Sequence, residues 1–142
     1  MIIPDVNVLV YAARDDSARH AEYRDWLVRA MRGPEAVGLP ELVLSGVVCV
    51  LTHLRVFNPP MPIADALSFV DALRAQPRAF ALRPGERHWS LFTALCRDGD
   101  ARGNLVADAY HAALAIEAGA EFITTDRDFA RFPGLRWRPP FA

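Results

Sequence analysis

The chain has 142 residues, 52% hydrophobic and 23% charged, with a formal net charge of -1. Those totals suit a single globular domain over residues 1–142 and exclude intrinsic disorder. No apolar run approaches the ~20 residues that span a bilayer, and the first residues lack a cationic leader with a small-residue cleavage site. A cytoplasmic protein is therefore expected.

In chain order, MIIP is a short apolar run that reads as a strand ending at Asp5, and residues 6–14 turn into a helix. From Ser17 to Met31, Ala18, Ala21, Trp26, Leu27 and Ala30 recur among charges at helical spacing, and Gly33-Pro34 stops that helix. Residues 36–39 (AVGL) form a second strand. Pro40 opens an apolar helix over 41–54, which the proline-rich break at 56–62 closes. Ile63 to Ala75 is the next helix, Ala79–Leu82 a third strand, and Glu86 to Cys96 a helix bearing Trp89 and Phe92 as core residues. After the loop 97–103, Asn104 is read as the N-cap of a helix over 105–118, with Gly119 as its stop. The strand Glu121–Thr125 ends at Asp126, and a short helix (127–131) and a last strand (135–138) follow. Alternating strands and helices imply a mostly parallel sheet with helices on both faces, an α/β class. Cys49 and Cys96 lie in apolar patterns without metal-ligand spacing and are expected to be buried free thiols.

Ligands of open parallel sheets bind outside the carboxyl ends of the strands. Asp5 and Asp126 each end a predicted strand there, although almost the whole chain separates them. Asp108 lies in the first turns of an Ala-rich helix, on a stripe with Leu105, Ala112 and Ala115, where an unpaired carboxylate is costly. If that helix runs antiparallel to the strands, Asp108 reaches the same edge. Singly, Asp5 and Asp126 are explained by turn formation and Asp108 by the helix dipole; the convergence of three is what points to a site. Glu41, at a helix start on that edge, is a weaker fourth candidate, and Asp128 is either a further ligand or a cap.

Clustered carboxylates repel unless a cation neutralises them. An all-oxygen set without converging His or Cys favours Mg²⁺, with Mn²⁺ as a plausible substitute, over zinc. All sixteen basic residues are Arg, whose planar fork suits phosphates, although compositional bias explains that equally. Arg14, Arg102 and Arg127 stand nearest the acidic motifs and are candidate phosphate contacts. None of the four histidines is paired at ligand spacing.

The runs Asp5-Val6-Asn7-Val8-Leu9, Gly103-Asn104-Leu105-Val106-Ala107-Asp108-Ala109 and Thr124-Thr125-Asp126-Arg127-Asp128-Phe129 resemble the PIN-domain family, and closely its VapC ribonuclease toxins. Pro84-Gly85-Glu86-Arg87-His88-Trp89 is similar to the mycobacterial-type subgroup. The resemblance covers essentially the whole chain. It implies a three-layer α/β/α sandwich and Mg²⁺-dependent endonucleolytic cleavage of RNA. It assigns metal ligation to Asp5 and Asp108, with Asp126 completing the catalytic cluster, and makes Asn7 and Thr125 orienting groups behind it. The family's further acidic residue falls approximately on Glu41, and related toxins often carry Arg where Cys49 stands. It also implies a homodimer and a cognate VapB-type antitoxin of a toxin–antitoxin pair. The alternatives are a catalytically silent PIN-like binding module and a phosphatase with Asp5 as nucleophile. Asn7 in place of a second Asp, and the absence of Lys, weigh against the phosphatase.

Overall fold

Neighbouring residues of each central strand divide their side chains between two cores. In β1 (Ile2–Pro4), Ile2 joins one buried cluster and Ile3 the other; in β4 (Glu121–Ile123), Phe122 and Ile123 divide in the same way. Strand geometry turns successive side chains to opposite faces, so the sheet is buried on both sides. The structure is a computed structural model and describes all 142 residues. β2 (Val37–Gly38), β3 (Ala79–Phe80) and β5 (Trp137–Arg138) complete a sheet of order β3-β2-β1-β4-β5 in which every pairing is parallel.

One face is covered by α1 (Val6–Ala13), α2 (His20–Arg32), α3 (Glu41–Leu51) and α4 (Ile63–Arg74), which bury Leu9, Trp26, Val43 and Val70 among others. The opposite face carries α5 (His88–Asp98), α6 (Asn104–Ala118), and Phe129 and Phe132 in and just after a 3₁₀ helix at Arg127–Arg131. In α6, Ala109, Ala112, Ala113 and Ala115 are fully buried, which lets this helix lie close on the sheet. This is a three-layer α/β/α sandwich. The chain steps from β1 outward through β2 to β3, then returns to place β4 on the other side of β1. The strand order reverses between β1 and β4, and a crevice opens at such a reversal.

Element boundaries depart from the sequence reading where local polar groups intervene. α2 begins at His20, not Ser17, because Arg19 adopts a left-handed conformation (φ 57°) that a helix cannot pass through. α3 stops at Leu51, where the Thr52 hydroxyl donates to the Val48 carbonyl. Asn104 is the first residue of α6 and not its cap; Gly103, at φ 57°, holds the cap position, with no side-chain cap bond. α5 starts at His88, two residues late, because the Glu117 carboxylate of α6 accepts the N–H groups of Gly85 and Arg87. Trp89 is 67% exposed and outside the core; His88, one residue earlier, takes the buried place and its Nε2 meets the Tyr110 carbonyl. Cys49 is exposed rather than buried; Cys96 is half-buried, and both thiols are free.

Candidate active site

Asp5 leaves β1 with its backbone still in the ladder, its N–H donating to the Ile123 carbonyl at 2.9 Å. It is also the N-cap of α1: Oδ1 accepts the Val6 N–H at 2.7 Å. Oδ2 accepts the Thr124 hydroxyl at 2.6 Å. Both oxygens are thus fixed by donors from two different elements, and the residue is only 8% exposed. Burial pushes the Asp5 carboxyl above its ordinary value, the bonds from Thr124 and Val6 oppose that, and the nearby Asp126 charge adds to the rise.

Thr124 is the hinge of the site. Its Oγ1 donates to Asp5 and accepts the Asp126 N–H at 3.0 Å, so one hydroxyl sets the spacing of two carboxylates. Asp126 then caps the 3₁₀ helix through the Asp128 N–H at 2.9 Å. Asp108, half-buried in the second turn of α6, arrives from the far layer. Burial raises its pKa to about 6, with further upward contributions from Asp126, Asp5 and Asp128 and a smaller opposing one from Arg131. Three carboxylates from the two strand ends and from α6 therefore share one electrostatic field at the sheet reversal.

The donor set is all carboxylate oxygen, which fits Mg²⁺ or Mn²⁺. No three acidic, His or Cys side chains close into a ready cage. A divalent cation would relieve the mutual repulsion that contributes to the raised pKa of Asp108.

Other candidates fall elsewhere. The hydroxyl behind Asp5 belongs to Thr124; Thr125, expected in that role, is exposed and hydrogen-bonds neither carboxylate. Asn7 is exposed in the first turn of α1 and makes no hydrogen bond to the cluster. Glu41 is exposed at the start of α3 and borders a groove with Asp71 and Arg74 of α4; its charge acts on neither Asp5 nor Asp108. Arg14 is committed to structure: it bonds Asp16 and the Pro59 carbonyl and stacks on Phe57 at 4.3 Å. Arg102 is 83% exposed and paired with Asp100, and Arg127 is exposed at the start of the 3₁₀ helix. The cation whose charge acts on Asp108 is Arg131, which no strand-end signal picks out; only its place two residues after the buried Phe129 hints at it.

The profile of the PIN domain matches residues 2–135. VapC43 of Mycobacterium tuberculosis, a ribonuclease, is 52% identical over 140 residues, covering 99% of this chain and 95% of the relative. The chain belongs to the VapC ribonuclease family of PIN-domain proteins. VapC25 of the same organism is 40% identical over 141 residues, covering 99% of each chain. Among solved structures, VapBC2 of Rickettsia felis superposes with a TM-score of 0.72 at 19% identity, over 98% of both chains. VapBC-1 of nontypeable Haemophilus influenzae gives 0.65 at 16%, over 99% of this chain and 98% of that one. At those identities the two structures speak for the fold. The PIN match spans both strand ends and α6, so Asp5, Asp108 and Asp126 all lie inside it.

Proposed function

We propose that this chain is a Mg²⁺-dependent endoribonuclease, the toxin of a VapBC-type toxin–antitoxin pair, with Asp5, Asp108 and Asp126 as its catalytic and metal-holding carboxylates. The observation that carries this reading is the arrival of those three side chains at the β1/β4 reversal, where Asp108 is held near pKa 6 by burial and by its acidic neighbours. Mg²⁺, or Mn²⁺ in its place, would supply an activated water and offset the charge that develops on the scissile phosphate. The chain's own part is positioning. Val6 N–H and the Thr124 hydroxyl lock the Asp5 carboxylate, Thr124 sets Asp126 relative to it, and the Ala-rich α6 brings Asp108 close. Arg102 and Arg127 are exposed and adjoin, in sequence, the motifs that carry Asp108 and Asp126, so either could meet RNA on this reading.

A cytoplasmic location agrees with the two unpaired thiols. A cognate VapB-type antitoxin and a homodimer belong to the same reading, supported by apolar surface that a partner would cover. Such surface includes a groove of about 270 Å³ between α2 and α4, lined by Leu27, Val28, Met31 and Phe69. The test is RNA cleavage with Mg²⁺, with EDTA, and by Asp5→Ala and Asp108→Ala. Cleavage is expected with Mg²⁺ alone in the unaltered chain; persistent cleavage by both variants overturns the mechanism.

A further inference from the structure

A nuclease built on carboxylates must hold a polyanion beside its own negative charge, so at least one cation has to stand free at the site. Six of the sixteen arginines are committed within the fold, and ten, Arg131 among them, are not. The guanidinium groups of Arg14, Arg19, Arg87, Arg102, Arg136 and Arg138 are hydrogen-bonded within the protein. Arg131 is not. Its nearest acidic partner is Asp128 Oδ1 at 3.9 Å, beyond hydrogen-bond reach, and its side chain is 40% exposed. It is nevertheless well placed. Phe129 and Phe132, on either side of it, are buried, and the rings run in series from Phe122 to Phe129 (4.7 Å) and on to Phe132 (5.8 Å). The 3₁₀ helix is thereby pinned to the sheet, directly after the Asp126 cap. Among all the arginines, only Arg131 has a charge that acts on Asp108.

We propose that Arg131 is the phosphate anchor of the site, exchanging its loose contact with Asp128 for a non-bridging oxygen of the RNA backbone next to the bond that is cut. The proposal rests on the ribonuclease reading and names the residue that receives its substrate. Asp128 serves as the place-holder: its carboxylate, three residues earlier, keeps the guanidinium near the crevice without occupying its donors. A planar fork at that point recognises phosphate through paired N–H bonds, whereas a lysine would offer charge alone.

The experiment has a binding arm and a cleavage arm. Binding of mixed-sequence single-stranded RNA oligonucleotides is followed by anisotropy in EDTA over a series of salt concentrations, for the unaltered chain, Arg131→Ala and Arg131→Lys. Loss of one charge-assisted contact is expected to weaken Arg131→Ala about tenfold and to lower the slope of log affinity against log salt by about 0.7. Arg131→Lys should keep the slope and recover only part of the affinity. In Mg²⁺, the cleavage arm should show KM rising with the loss of affinity while kcat falls less. Thermal melting should be unchanged, because the side chain is exposed and makes no bond within the fold. Unchanged affinity and slope in Arg131→Ala, with the unaltered chain active, overturn the anchor and leave the ribonuclease intact. An unaltered chain that binds RNA but does not cleave it in Mg²⁺ overturns the ribonuclease reading instead, and the salt slope still decides Arg131.

Discussion

The Thr124 hydroxyl stands 2.6 Å from Asp5 Oδ2, joining the end of β4 to the end of β1 across 119 residues of chain. This buried bond ties the first carboxylate of the cluster to the loop that carries the last. Removing the hydroxyl strands two polar groups at once, since Asp126 N–H also loses its acceptor. Thr124→Val keeps the shape and is expected to cost about 1–3 kcal/mol of stability, measured by denaturant unfolding, and to lower RNA cleavage at least about tenfold through misplacement of Asp5. Thr124→Ser should retain most of both. Full activity in a folded Thr124→Val would show that the bond does not position the site.

Asp108→Asn should abolish cleavage, and growth arrest on expression, without unfolding the protein. Burial and the charges of Asp126, Asp5 and Asp128 disfavour the ionised form of this residue, so the neutral amide relieves repulsion and the melting temperature should hold or rise. A folded Asp108→Asn chain that still arrests growth would refute the role given to Asp108.

Mg²⁺ affinity should fall in mild acid. The metal-free Asp108 takes up a proton at about pH 6, and the metal requires the ionised carboxylate. Between pH about 7 and about 5, metal affinity is expected to drop roughly tenfold, the ionised fraction at one pH unit below the pKa being about one tenth. Mn²⁺ titration followed by electron paramagnetic resonance, in the unaltered chain and in Asp108→Asn, checks this; a pH-independent affinity in the unaltered chain would contradict it.

His111 gives a stability signature of its own. It is buried one turn beyond Asp108, stacked on Phe122 at 6.2 Å, with Nδ1 unpartnered, and burial lowers its pKa to about 4. The unfolded chain, with the ordinary value of 6.5, binds the proton first as pH falls, so stability is lost between pH about 6.5 and about 4. That displacement corresponds to about 3 kcal/mol. Asp108 slopes the other way: its folded pKa is raised from 3.8 to about 6, so its contribution is fullest in acid and declines as pH rises through that interval. The difference in unfolding free energy between the unaltered chain and His111→Phe isolates the histidine, and should shift in favour of His111→Phe as pH falls. A difference that stays constant with pH would sink the assignment.

Glu117 anchors α5 away from the chemistry. Its carboxylate accepts both Gly85 and Arg87 N–H groups, and a Cβ on Gly85 would come within 2.8 Å of Glu117 Oε2. Gly85→Ala and Glu117→Gln should each destabilise the fold by about 1–2 kcal/mol and leave the cleavage rate of the folded fraction unchanged. A Glu117→Gln chain as stable as the parent would show that the bonds carry no net stability.

Local chemistry written into the chain determined the order of elements, the parallel α/β class and the strand-end places of Asp5 and Asp126. Hydrophobic periods, Gly33-Pro34 and Gly119 act over a few residues, so a linear reading captures them. The same reading located Asp108 on α6, because a carboxylate on an alanine stripe stands out from its neighbours. It could not choose between Thr124 and Thr125. Both follow directly on β4, and only the pairing of that strand with β1 decides which hydroxyl meets Asp5. Nor could it sort the arginines. Arg14 looked free beside Asp5 until the turn around Pro59 and Phe57 folded over it, and Arg131 became the site's cation only when two buried phenylalanines fixed its helix against the sheet. Glu41 begins a helix on the right edge, but α3 packs toward α4 and keeps its charge out of the cluster. Residue type and spacing are local properties; whether a polar group is committed or free depends on partners far along the chain, and only the tertiary structure brings those together.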